Sequence, residues 1–308
     1  MRVGVDIGGT KTDAVAIDER DRVVGQVKVP TGFGGRAIVE VTAEAVTSLA
    51  ASLGVAVTDF ESVGIGIPGA IDSDAGRVSH AVNLGVEDLA LGPDLAARLG
   101  VHVRVENDVN AAAVGAFHLL GLPADHSMAY LNLGTGLAAG LVLRGQLWRG
   151  SRGTAGEIGH IPVNPDGPIC TCGQRGCLET VASGGAVSRQ WPSTSERPVQ
   201  ALFEAADAGD PAAIAVRSSL IENIAAAVRV LVLTVDVDTV VIGGGISSLG
   251  EPLLSGVGDV LRGWAATSPF LASLELPERV QLVPPGFSAA AVGAAFVGSY
   301  GSAGALSL

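Results

Sequence analysis

Near the start of the chain the apolar positions come in β-branched runs separated by polar breaks. Residues 2–7 end in the turn Gly8-Gly9-Thr10, residues 13–17 resume as a second strand, and Glu19 to Arg22 is a polar turn. Residues 23–29 form a third strand closed by Pro30, so an antiparallel meander with a glycine corner is expected. The period then lengthens: residues 37–53 read as a helix, 63–67 as a strand, 93–99 as a short helix and 101–105 as a strand. Another helix starts at Glu106-Asn107-Asp108, where Asn107 or Asp108 can cap it.

The second half repeats the theme. Residues 128–133 are a strand ending in Gly134-Thr135-Gly136, and 139–144 are another, turned by Arg144-Gly145-Gln146. From Gly150 to Gly185 the chain is irregular and rich in Gly, Pro, Cys and His, and residues 194–199 are a polar connector. A long apolar helix is expected over 212–233, a strand over 239–242 ending in Gly243-Gly244-Gly245, and a closing helix of small residues over 289–300. The order of elements predicts two related α/β halves with a cleft between them.

Composition narrows the classes. A length of 308 residues suggests two domains, and 48% apolar against 16% charged residues supplies a large core and argues against disorder. The net charge is −12, with no basic cluster, which argues against binding to nucleic acid through phosphate contacts. Asp6 and Lys11 interrupt any export signal, and the apolar run 224–235 contains Arg229 and falls short of the ~20 residues of a membrane span. All three cysteines fall in one short segment, a poor disulfide framework. A cytoplasmic protein without a membrane partner is expected.

The 43 glycines are clustered, which marks special backbone sites. Three strand-terminal turns, Asp6 to Lys11, Leu133 to Gly136 and Gly243 to Gly245, can aim backbone N–H groups at an anion. Gly64-Ile65-Gly66-Ile67-Pro68-Gly69 fits the dinucleotide fingerprint, but the turn-rich residues after it offer no helix to hold a pyrophosphate. No Walker-type phosphate loop is present. Glu106-Asn107-Asp108 ends a strand, where Asp108 can accept a hydroxyl proton and the Asn107 amide can hold a neighbouring hydroxyl. His160, Cys170, Cys172 and Cys177 supply a complete tetrahedral zinc shell with no open position, hence a structural metal, bracketed by Glu157 and Glu179.

These motifs together resemble the ROK family of bacterial sugar kinases and repressors. The resemblance rests on Asp6-Ile7-Gly8-Gly9-Thr10-Lys11, Glu106-Asn107-Asp108, Leu133-Gly134-Thr135-Gly136, Gly156-Glu157-Ile158-Gly159-His160, Cys170 to Glu179 and Val241 to Gly245, and covers essentially the whole chain. It implies the two-domain actin-like ATPase (ribonuclease H-like) α/β fold, with residues 1–108 plus about 289–308 in a small domain and 109–288 in a larger one carrying the zinc loop. It also implies transfer of the γ-phosphoryl group of ATP to the 6-hydroxyl of a hexose, glucose first. An N-acetylglucosamine, N-acetylmannosamine, fructose or mannose kinase, or a sugar-sensing regulator, are its alternatives. By position, Asp108 would be the catalytic base, and Asn107, Glu157, His160 and Glu179 would hold sugar hydroxyls. Gly8, Gly9, Thr10 and Lys11, with Gly134, Thr135 and Gly136, would line the phosphates; Gly243, Gly244 and Gly245 would line the adenosine. Asp6 would hold Mg²⁺ accompanying ATP, and a dimer or tetramer is expected. Ala138-Ala139 departs from the glycine pair usual after the second phosphate turn.

Overall fold

The computed structural model describes residues 1–299. Its first stretch runs β1 (Arg2–Ile7), β2 (Lys11–Ile17), β3 (Val23–Pro30), α1 (Gly35–Leu53), β4 (Ser62–Ile67), β5 (Ala70–Asp72), β6 (Arg77–Ala81) and β7 (Val86–Leu89). Then come α2 (Leu91–Leu99), β8 (Val103–Asn107), α3 (Asp108–Leu119), β9 (Met128–Leu133), β10 (Leu137–Leu143) and β11 (Gln146–Trp148). The rest is α4 (Gly184–Gln190), α5 (Pro198–Asp207), α6 (Pro211–Val235), β12 (Thr239–Gly243), α7 (Glu251–Thr267), α8 (Pro269–Ser273), β13 (Val280–Leu282) and α9 (Ala289–Gly298).

The chain divides into two compact units. The first comprises Met1–Asp125, Gly140–Ala155 and the chain from Gly286; the second comprises His126–Ala139 and Gly156–Pro285. In the first unit a five-stranded sheet has the order β3-β2-β1-β4-β8, with a small sheet β5-β6-β7 beside it in sequence. The expected meander is present: β1 pairs antiparallel with β2, and β2 with β3, while β4 and β8 join in parallel. Asp6 and Asn107 therefore both stand at the C-terminal ends of parallel strands, where α/β sheets collect functional groups. A core of Val3, Val5, Ile7, Ile38, Leu49, Ile65 and their neighbours is fully buried under α1 and α2.

Against this sheet α9 packs backbone to backbone. A Cβ on Gly4 would lie 1.9 Å from the Ala291 carbonyl oxygen, and one on Gly64 would lie 1.7 Å from that of Ala294. On the helix side, Gly115 of α3 and Gly293 of α9 interlock in the same way, 1.9 Å from Ala289 O and 1.7 Å from Ala111 O. The fingerprint-like glycines at 64 and 66 thus serve packing: Gly66 admits Ala111, whose Cβ would stand 3.2 Å away. The turn-rich residues after them form the β5–β6 hairpin. The last residue of the closing helix read from the sequence, Tyr300, lies outside the described residues.

The other five-stranded sheet has the order β11-β10-β9-β12-β13. Within the second unit β9, β12 and β13 are parallel, with Gly243 opposite Asn132. Helix α6, at 25 residues, is longer than the apolar run alone suggested and is, among the described residues, long and apolar enough by length and composition to cross a membrane. Its Leu220, Ile224, Ala227, Val228 and Leu231 are buried in the unit's own core, which accounts for its character. The region 194–199 is shorter as a connector than expected, because Pro198 takes the first position of α5 and fits that role without losing a hydrogen bond.

Candidate active site

In the first unit the sequence-predicted groups gather at the ends of β1 and β8. The β1–β2 corner is closed by Gly8 N–H donating to Lys11 O at 3.0 Å, and the Thr31 N–H donates to Thr10 O at 3.1 Å, leaving Gly9, Thr10 and Lys11 exposed. Nothing lies within 4 Å of where a Gly9 Cβ would be, so packing does not require glycine there. Asp6 precedes the corner, opposite Asp13 in the register. Burial first, then the charges of Asp108 and Asp13, push Asp6 up to about 7. Asp13 is matched by Lys28 at 3.4 Å and by Gln26 and Ser288 hydrogen bonds.

Between the two candidate caps, the structure uses Asn107: its Oδ1 accepts from Val109 N and Asn110 N, at 2.9 and 3.2 Å. Asp108 is then the first residue of α3, its Oδ1 accepting from Val109 N at 3.0 Å. The Asn107 amide donates to Gly69 O at 3.4 Å. Behind this tip Glu106, 1% exposed, receives Arg149 Nε at 2.7 Å. Arg149 carries no signal in the sequence, because it follows β11 in a glycine-rich turn and only the folded chain brings it to residue 106.

In the second unit the segment Gly156 to His160 lies along β10. The Ala139 N–H donates to Gly156 O at 2.8 Å, and Cβ atoms on Gly156 and Gly159 would come within 1.8 and 2.0 Å of the Ala139 and Leu137 carbonyl oxygens. These glycines are where the backbone of the segment meets the strand. Glu179 accepts from Leu137 N at 3.0 Å and stands so close to Gly136 that a Cβ there would be 2.5 Å from its Oε2. The structure thus brings Glu179 and the Gly134-Thr135-Gly136 turn together, while Glu157 is exposed. The Gly184 and Gly185 N–H groups in turn hold the carbonyls of Gly134 and Thr135, at 2.8 and 3.0 Å. Gly243 is pressed on Tyr130, whereas Gly245 has nothing within 4 Å of a Cβ.

The donor atoms of His160, Cys170, Cys172 and Cys177 lie within 4.8 Å of one another. His160 Nδ1 is 3.7 Å from Cys170 Sγ, and Cys172 Sγ is 3.6 Å from Cys177 Sγ. Tetrahedral thiolate ligands about 2.3 Å from zinc stand about 3.8 Å apart, so the set fits that ion. Burial and the neighbouring sulfurs hold Cys177 up to about 12, the condition a bound dication would reverse.

Residues 2–297 match the ROK family. The chain belongs to the ROK family. Its relatives include a glucokinase of Thermotoga maritima, 36% identical over 272 residues, which are 82% of this chain and 84% of the relative. A ROK hexokinase from Thermus thermophilus superposes with a TM-score of 0.81 at 34% identity, covering 96% of this chain and 97% of that one. A ROK glucokinase from Streptomyces griseus, solved with glucose and AMPPNP, gives a TM-score of 0.78 at 34% identity over 96% and 98%. The fold is the actin-like ATPase fold of ROK kinases. In this ROK chain the His-Cys₃ set fits a structural zinc that pins a glycine-rich loop, with His160 Nδ1 on the sulfur side. Of the remaining histidines, His118 stacks on Phe296 at 3.8 Å and His126 hydrogen-bonds Thr239 at 2.9 Å, so both are packing residues.

Proposed function

We propose that this ROK kinase is a glucokinase that moves the γ-phosphoryl group of ATP to the 6-hydroxyl of glucose, with Asp108 as general base. One observation carries the reading. Asp6 near the end of β1 and Asp108 at the start of α3, just after β8, stand at the same end of one sheet with β4 between their strands. They are close enough that the charge of Asp108 raises Asp6, and the glycine corner after Asp6 has open space where a Gly9 Cβ would be. Such a pairing suits a proton acceptor next to a bound polyphosphate and its cation. The O6–H bond and the bond from Pγ to the ADP oxygen break as the O6–Pγ bond forms, and the proton passes to the Asp108 carboxylate. Magnesium arrives with ATP and neutralises phosphate charge; Asp6 is the residue of this chain that would hold it.

Asn107, Glu157, His160 and Glu179 would hold the sugar hydroxyls. Gly8 to Lys11 and Gly134 to Gly136 would line the phosphates, and Gly243 to Gly245 the adenosine. The open surroundings of Gly9 and Gly245 support a ligand at each. Three free cysteines and a reaction fed by ATP support a cytoplasmic setting, and a homo-oligomer is expected from the family. The test is a coupled assay of ATP with glucose, mannose, fructose and N-acetylhexosamines, on the wild type and on Asp108→Asn. Glucose should give the highest kcat/KM, and Asp108→Asn should keep glucose binding while kcat falls roughly 10²-fold or more. An N-acetylhexosamine preference overturns the sugar, and near-normal kcat in Asp108→Asn overturns the base.

A further inference from the structure

We infer that Glu106 and Arg149 form a buried clamp that positions the catalytic carboxylate, an inference that rests on the reading of Asp108 as the base. Glu106 Oε1 accepts from the Asn107 backbone N–H and from Asn110 Nδ2, both at 3.0 Å. One oxygen therefore ties down the chain on either side of Asp108: the residue before it and the first turn of α3 after it. The other oxygen, Oε2, is held by Arg149 Nε at 2.7 Å and by Ser73 Oγ at 3.4 Å. On this inference Glu106 and Arg149 act through Asp108 as positioning residues.

The clamp joins segments far apart in sequence. Asn107 and Asn110 belong to the β8–α3 junction, Ser73 follows β5, and Arg149 follows β11. A carboxylate this deeply buried is stable only when a cation and hydrogen bonds replace its water. Without Arg149 its best escape is rotation towards solvent, which releases Asn107 and Asn110 together. The exit exists: Ser73, Arg104, Trp148 and Arg149 line an open cleft of about 650 Å³. The Arg149 side chain is itself 29% exposed, so this cleft also gives a small cation access to the place the side chain occupies.

The experiment measures kcat and KM for Arg149→Ala, Arg149→Lys and Glu106→Gln, alone and combined with Asp108→Asn. A displaced base lowers turnover, so kcat should fall about 10- to 100-fold while KM for ATP stays within about threefold; KM for glucose should rise, because the released Asn107 is proposed to hold a sugar hydroxyl. Millimolar guanidinium should restore part of the turnover of Arg149→Ala and none of that of Glu106→Gln, and Arg149→Lys should retain more than Arg149→Ala. In the Asp108→Asn background the Arg149→Ala change should cost nothing further in kcat, because the group it positions is gone. Wild-type kcat in Arg149→Ala, or a loss that simply multiplies with that of Asp108→Asn, overturns the clamp. Near-normal kcat in Asp108→Asn alone instead overturns the base. If the single variants do not fold, Glu106→Gln/Arg149→Met leaves no lone buried charge; it should fold and turn over slowly, and normal turnover in it refutes the clamp.

Discussion

Replacing Asp6 by Asn should make the ligand-free protein more stable and inactive at once. Asp6 is pushed from 3.8 to about 7, by burial first and then by Asp108 and Asp13. A carboxyl raised on folding contributes stability that is fully present below its unfolded value and is lost as pH rises to its folded value. Here that window runs from about 4 to about 7, and above it the folded chain holds an ionised Asp6 at full cost. At about 1.4 kcal/mol per pH unit, the cost at pH 8 is on the order of 4 kcal/mol, falling to less than half at pH 5. Asn has the same shape and no charge, so Asp6→Asn removes it. With roughly 2–4 °C per kcal/mol, the melting temperature should rise by roughly 10 °C at pH 8.

The assay is thermal unfolding of wild type and Asp6→Asn at pH 5 and pH 8, without magnesium or nucleotide, paired with turnover measurements at pH 8. The expected result is a gain in stability that grows with pH, beside a loss of activity, because the destabilised carboxylate is the one proposed to meet the cation of ATP. Equal melting temperatures at pH 8, or a gain that does not change with pH, would refute the electrostatic argument. A stabilised variant that keeps full turnover would leave the electrostatics intact and remove Asp6 from the site.

Other expectations follow from single contacts. Cys172→Ser should lose stoichiometric zinc by metal analysis and raise KM for glucose far more than KM for ATP, since the loop it pins carries Glu157, His160 and Glu179. Gly9→Ala should leave the melting temperature unchanged, because a Cβ meets nothing there, and should raise KM for ATP; an unchanged KM removes that corner from the phosphate site. Gly64→Ala should destabilise by at least about 3 kcal/mol in denaturant titration, since its Cβ would meet the Ala294 carbonyl at 1.7 Å and backbone cannot rotate away as a side chain can.

Local chemistry made much of the site legible. The β-branched meander, the glycine corner after Asp6, the Asn107-Asp108 junction and the spacing of His160 to the three cysteines each follow from neighbours in sequence. The fingerprint at Gly64 lacks a helix to hold a pyrophosphate, but nothing near it in sequence shows why glycine stands there. The cause is the backbone of α9, more than two hundred positions later, pressed on β1 and β4. Helices α5 and α7 are hidden in the sequence for a different reason: Pro198 and Pro252 occupy first-turn positions that look like breakers when the helix after them is unknown.

What sequence spacing cannot supply is the partner of a buried charge. Glu106 reads as one more member of a polar triplet, and nothing near it in sequence says that its carboxylate is sealed from water at 1% exposure. Burial turns an ordinary acid into a demand for a cation, and the fold meets it with Arg149, 43 positions away, from a glycine turn. The same physics acts in the opposite sense at Asp6, which burial and the charges of Asp108 and Asp13 push up to about 7. One carboxylate is held still by a cation and hydrogen bonds of the protein, and the other is destabilised by its surroundings. The first suits a group that must be positioned, and the second suits a group that must receive a cation with the substrate.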